Sequence, residues 1–177
     1  MKQGRYGVRR GFTMIEILIS IVITAFGLLG LAAFASKATG MSVDATQRAR
    51  AAALLEDMAS RVANNKSNAE AYVSATVMGA AVQDCTGLNG APLDRCQWNN
   101  LLAGTNDAQA GGNSAFLGYR GCISQPNPVD PAFVITVAWG SIAEGIAPAD
   151  QCAVNAFGND ANRRVIRSLV RRAALAA

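Results

Sequence analysis

Residues 12–35 read Phe12-Thr13-Met14-Ile15-Glu16-Ile17-Leu18-Ile19-Ser20-Ile21-Val22-Ile23-Thr24-Ala25-Phe26-Gly27-Leu28-Leu29-Gly30-Leu31-Ala32-Ala33-Phe34-Ala35, with Glu16 as the sole charge. A helix of about 20 apolar residues crosses a bilayer, so this run predicts a transmembrane helix. Four of the 16 basic residues, Lys2, Arg5, Arg9 and Arg10, stand ahead of it, and the other 12 balance the 12 acids. The net charge of +4 therefore belongs to residues 1–11. A basic flank on that side predicts a cytoplasmic amino end and an exported remainder beyond Ala35.

Glu16 is the anomaly in the run. A carboxylate near the centre of a spanning helix costs about 2.5–3.5 kcal/mol, and somewhat less toward an end, so a partner is expected. No basic residue follows it until Lys37. Cleavage after Gly11 would create a cation, because Phe12 would then carry an α-ammonium with a pKa of about 8, four residues before Glu16. One helical turn separates such positions, so the two groups can meet within a chain or between neighbours. At an effective dielectric near 20 the pair is worth about 4 kcal/mol before desolvation, enough to offset burial of the acid.

The octapeptide Arg9-Arg10-Gly11-Phe12-Thr13-Met14-Ile15-Glu16 resembles the class III signal of type IV pilins and pseudopilins. The resemblance implies that a prepilin peptidase cuts after Gly11 and methylates Phe12. It implies that Glu16 neutralises the amino terminus of a neighbouring subunit, and that the apolar helix serves first as anchor and then as filament core. Two other targeting signals are visible. Arg9-Arg10 has a twin-arginine aspect, and Ala33-Phe34-Ala35 before Ser36 has the small-residue form of an ordinary cleavage site. Either would discard the helix and release a secreted periplasmic protein. Against both, the apolar region exceeds the 7–15 residues typical of a signal peptide and contains an acid.

Residues 36–64 are alanine-rich and free of proline. Leu54, Leu55, Met58 and Val62 recur at helical spacing, with Arg48, Glu56, Asp57 and Arg61 available to the other side. The spacing predicts a helical stalk continuous with the anchor, a rod of about 80 Å at 1.5 Å per residue, its outer half laid against the head. Gly27 and Gly30 are candidate packing points and Gly40 a candidate bend. Many pilins carry a proline in this helix, whereas the first proline here is Pro92; any local melting on assembly would fall to the glycines.

From residue 65 the composition turns to Asn, Gly, Ser and Pro, which predicts a loop-rich head over 65–177. Cys85, Cys96, Cys122 and Cys152 all lie in the exported part, where disulfides form. They contain no Cys-x-x-Cys and have no histidine partners, so they read as staples and not as metal ligands. Four cysteines allow three connectivities. The near-neighbour pairing is preferred: Cys85–Cys96 closes a turn region and Cys122–Cys152 brackets a strand. That strand, Phe133–Trp139, places Phe133, Ile135, Val137 and Trp139 on one face and the smaller Val134, Thr136 and Ala138 on the other, with Pro131 before it and Gly140 after. The tail Arg163–Arg172 fits a helix or a strand on periodicity.

Within the pilins, the chain is most similar to minor pilins of the PilV type. The likeness rests on Gly27-Leu28-Leu29-Gly30-Leu31-Ala32, Gly121-Cys122-Ile123-Ser124, Ile135-Thr136-Val137-Ala138-Trp139, and Cys152 followed by Arg163-Arg164-Val165-Ile166. It implies an α+β pilin fold, with a small antiparallel sheet packed on the carboxyl-terminal half of the long helix, and favours a strand for the tail. It also implies a priming or tip role in pilus assembly, with an inner-membrane subunit, periplasmic head first and pilus component later. Prepilin peptidase, other minor and major pilins, and the membrane are then the partners.

The chain has no histidine, the commonest metal ligand and general base, which excludes most zinc hydrolases and Ser-His-Asp enzymes. Asp57, Asp84, Asp94, Asp107, Asp130, Asp150 and Asp160 form no catalytic pattern, and Gly111-Gly112 lacks the lysine of a phosphate loop. No catalytic residue, metal or cofactor is expected. Arg163, Arg164, Arg167, Arg171 and Arg172 are a basic tail without interleaved aromatics, so nucleic-acid binding is not favoured. A minor pseudopilin of type II secretion shares the leader, rod and head and stays the nearest alternative.

Overall fold

The computed structural model describes residues 11–104, 118–128, 130 and 132–171. The leader residues Lys2, Arg5, Arg9 and Arg10, together with Asp107, Gly111-Gly112, Pro131 and Arg172, lie outside the described residues. The chain divides into a unit that ends at Val43 and a second that begins at Asp44. Helix α1, Met14–Asn64, contributes to both. Up to Val43 all its residues are exposed. Gly40 lies inside this helix, which continues through it.

In the second unit, α1 buries Ala51, Leu55, Met58, Ala59 and Val62. These positions recur every three or four residues and form one stripe. The strands β1 (Tyr119–Ser124), β2 (Ala132–Gly140) and β3 (Arg163–Arg171) make an antiparallel sheet in the order β1-β2-β3. Cys122 pairs with Thr136, and Val137 with Ile166. Phe133, Ile135, Val137 and Trp139 join the α1 stripe in a single core with Ile123, Trp98, Leu102 and Tyr72. The architecture is α+β: a long amino-terminal helix followed by a small antiparallel sheet.

The small residues on the other face of β2 have a reason to be small. Ala138 packs with Cys152, Ala153 and Phe157 of the β2–β3 connection, and Cys122 and Val165 border that second cluster. Both faces of β2 are thus covered. The tail is a strand for the same reason: Ile166 and Val170 border the main core while Val165 borders the second cluster. Apolar residues on both faces blur the two-residue period, which is why the pattern also fitted a helix.

Two helical segments interrupt the loop-rich stretch after residue 65. A 3-10 segment, Lys66–Tyr72, follows α1, and a 14-residue helix α2 spans Gly90–Ala103. Asn89, Gly90 and Pro92 look like a turn in sequence. Pro92, however, sits in the first helical turn, where its missing N–H has no intrahelical partner to lose. Gly104 ends the helix in the left-handed conformation, and its N–H donates to the carbonyls of Asn100 and Leu101. Trp98 of α2 is fully buried, and its indole N–H donates to the Leu54 carbonyl of α1 at 2.8 Å.

Polar clamps complete the head. Asp57 and Arg61, assigned from sequence to the far side of the stalk, stand at the border with α2: Arg61 pairs with Asp57 and with Asp94, each at 3.0 Å. The Tyr72 hydroxyl donates to Asp94, and burial followed by that bond pushes its pKa above the ordinary tyrosine range. Buried Asn99 accepts from Gly79 N–H and donates to the Ala81 carbonyl, both at 2.7 Å, so a side-chain amide holds a loop as a strand would. Arg163 is 1% exposed. It pairs with Asp160 and donates to the carbonyls of Cys152 and Pro148. Disulfides join Cys85 to Cys96 and Cys122 to Cys152.

Two outcomes follow from this packing. A Cβ at Gly121 would lie 2.3 Å from the Trp98 ring, so Gly121→Ala should lower stability by about 1–3 kcal/mol in chemical denaturation. The Arg163 hydrogen bond holds the Asp160 carboxyl below its ordinary range. A carboxylate depressed in the folded state stabilises above its unfolded pKa of about 3.9, and that contribution fades as pH falls through the folded value. Thermal melts of Asp160→Asn should therefore lose less stability between neutral and strongly acidic pH than the parent does.

Candidate functional site

The amino end of α1 brings together the residues singled out for processing and assembly. Gly11, Phe12 and Thr13 precede the helix, and Phe12 is 80% exposed. Thr13 caps it: Glu16 N–H donates to the Thr13 carbonyl at 3.1 Å and to Thr13 Oγ1 at 3.4 Å, and Ile17 N–H to the same carbonyl at 3.3 Å. Thr13 and Glu16 have the Ser/Thr-x-x-Glu spacing of a capping box, with Glu16 at the third helical position. That cap is a signal the spacing already contained, although attention to charge alone passes over it.

In the uncleaved chain Phe12 lies two residues ahead of the helix and Glu16 is its third residue. The main-chain nitrogen of Phe12 immediately precedes the capping residue, at the end of the helix where the macrodipole places about half a positive charge. An ammonium there adds to an existing positive end. A carboxylate in the first turn is what makes that end tolerable.

Below Glu16, Ser20 Oγ donates to the Glu16 carbonyl and Thr24 Oγ1 to the Ser20 carbonyl, both at 2.7 Å. Thr39 Oγ1 does the same to Ala35 at 3.0 Å. Hydroxyls that bond back one turn satisfy themselves inside the helix, and lipid then meets little unpaired polarity. Glu16, which accepts but cannot donate when ionised, cannot bond back to a carbonyl in this way. Gly27 and Gly30 have nothing near enough to touch an added Cβ, which leaves that flank open to close approach by another helix. The most apolar 18-residue window of α1 has a mean hydropathy of 2.6, and none of it is buried in the chain.

The other sequence-selected residues are elsewhere, in the head. The four cysteines are paired there. The basic tail is divided: Arg163 is buried, and Arg164 donates to the carbonyls of Ala143 and Ala161. Arg167 and Arg171 are 70% and 67% exposed, with loose approaches to Asp150 and Asp130. Among the described residues no three Cys, Asp or Glu side chains are grouped to hold a metal ion.

Residues 8–32 match the family model described as the prokaryotic N-terminal methylation motif. No curated protein and no solved structure matches the chain. Proteins that carry this motif are structural subunits and substrates of prepilin peptidase, and an apolar helix directly behind it fits a membrane anchor. The motif lies at the capped start of a helix that is exposed up to Val43, and a small antiparallel sheet follows, an arrangement that supports a type IV pilin-like protein.

Proposed function

We propose that this chain is a minor pilin, a non-enzymatic subunit that acts in the priming or tip complex of a type IV pilus and serves twitching and adhesion. Prepilin peptidase cleaves between Gly11 and Phe12 and methylates Phe12. The subunit waits in the inner membrane with its head in the periplasm, then joins other minor and major pilins by helix packing. The carrying observation is the methylation motif laid over an apolar run, residues 12–35, whose single charge, Glu16, falls in the first turn of α1. An ammonium from one subunit and a carboxylate from another can neutralise each other as both leave the lipid. The disulfide-stapled head suits an exported subunit that must keep its fold outside the cell.

A minor pseudopilin of type II secretion would use the same motif and anchor. Deletion of the gene separates the two: loss of twitching supports the pilus, whereas loss of exoprotein secretion with twitching intact supports the pseudopilin.

Mass spectrometry of the mature protein should find methylated Phe12 at the amino terminus. A terminus at Ser36 would show that the anchor had been discarded by an ordinary signal peptidase. Glu16→Ala should be processed normally yet lose on the order of tenfold or more of its pilus-associated fraction, since 1.4 kcal/mol is already tenfold. Thr13→Ala should cost only about 1 kcal/mol of helix stability and retain most incorporation. Full recruitment of Glu16→Ala into pili would refute the role assigned to the carboxylate.

A further inference from the structure

Among the described residues of the head, the most exposed large apolar side chains are Ile146 at 94% and Ile142 at 87%. Both belong to the connection after β2, and the loop that carries them is held firmly. Ser141 N–H donates to the Asn162 carbonyl at 2.7 Å and Gly145 N–H to the Ala161 carbonyl at 2.9 Å. Arg164 donates to the Ala143 carbonyl at 2.6 Å, and Arg163 to the Pro148 carbonyl at 3.0 Å. The backbone is thus fixed on both sides of each isoleucine while the side chains stand in solvent. Preorganised apolar groups on a fixed loop mark a contact surface better than singly scattered ones do.

The loop's place in the head indicates what it meets. Ser141 Oγ lies 3.5 Å from Asp44 Oδ1, and Tyr119, paired with Trp139 at the same end of the sheet, donates to the Gln47 carbonyl. This end of the sheet therefore borders the first residues of the second unit. Asp44 follows Ala35, the last residue of the apolar run, by nine positions, a tether that spans at most about 30 Å even when fully extended. The segment Ser141–Pro148 carries one charge, Glu144.

We propose that the loop Ser141–Pro148 docks on the periplasmic surface of the bilayer, with Ile142 and Ile146 entering the headgroup region. Apolar side chains presented at an interface enter it to a depth of about 5–10 Å. The contact gives the unassembled subunit a second hold on lipid and is broken when the subunit is drawn into a filament. The inference rests on the reading of residues 12–35 as a membrane anchor.

The test places tryptophan at the loop of the full chain, as Ile142→Trp and separately Ile146→Trp, in phosphatidylcholine–phosphatidylglycerol vesicles with or without brominated acyl chains. The native Trp98 and Trp139 are buried, so the added emission is the difference from the parent protein. Brominated lipid should remove about half or more of that added emission, the depth expected of an interfacial side chain. Ile146→Asp in the Ile142→Trp background should restore it. Unquenched added emission in protein that floats with the vesicles overturns the docking and leaves the anchor intact. Protein that fails to float overturns both. A blue shift that grows with protein density and ignores bromine also overturns docking, and assigns the loop to contact between copies.

Discussion

Lipid offers an ionised carboxylate no hydrogen-bond donor, and Glu16, in the first turn of α1, is the sole charge of the apolar run 12–35. Much else in the amino-terminal unit follows from that constraint. Ser20 and Thr24 turn their hydroxyls back onto α1 and so add no further demand for partners. Thr13 caps the helix just ahead of Glu16, which places the acid in the first turn. There it faces the positive end of the helix dipole, together with any ammonium released at Phe12. A neutral glutamine at this position would keep the shape and lose the charge.

The second unit solves a different problem, that of closing a core with three strands. A three-stranded sheet has little area, and here β2 is covered on both sides. The α1 stripe and α2 lie on one face, and the Cys152–Phe157 stretch lies on the other. Gly121 belongs to this economy, since the Trp98 ring occupies the space where a side chain would stand. Arg163 is the counterpart on the β2–β3 connection. A guanidinium at 1% exposure is tolerable only because Asp160 and two carbonyls take up its donors. The same connection, so anchored, carries Ile142 and Ile146 outward.

The arginines of β3 show how a run of like residues divides its labour. Two are consumed in holding loops, and two remain largely in solvent on an edge strand. Charged side chains on such an edge discourage pairing with stray strands. A basic tail in sequence is therefore partly architecture, and its net charge overstates the surface available to an anionic partner.

The anchor was legible because a bilayer imposes a length and a polarity that composition alone can meet, and because one charge in 24 residues is conspicuous. The Phe133–Trp139 strand was legible from its alternation, and the α1 stripe from its helical spacing. Helix α2 was not, since Asn89, Gly90 and Pro92 carry the same turn chemistry whether they end a loop or begin a helix. The state of Arg163–Arg171 was settled by what covers each face of the sheet, and the burial of Arg163 by acceptors brought from Cys152 and Pro148. Local pattern determined the membrane segment and the main elements, because those answer to solvent and to backbone periodicity. Tertiary packing decided which polar groups are buried and which apolar ones stay out, because that depends on neighbours far away in the chain.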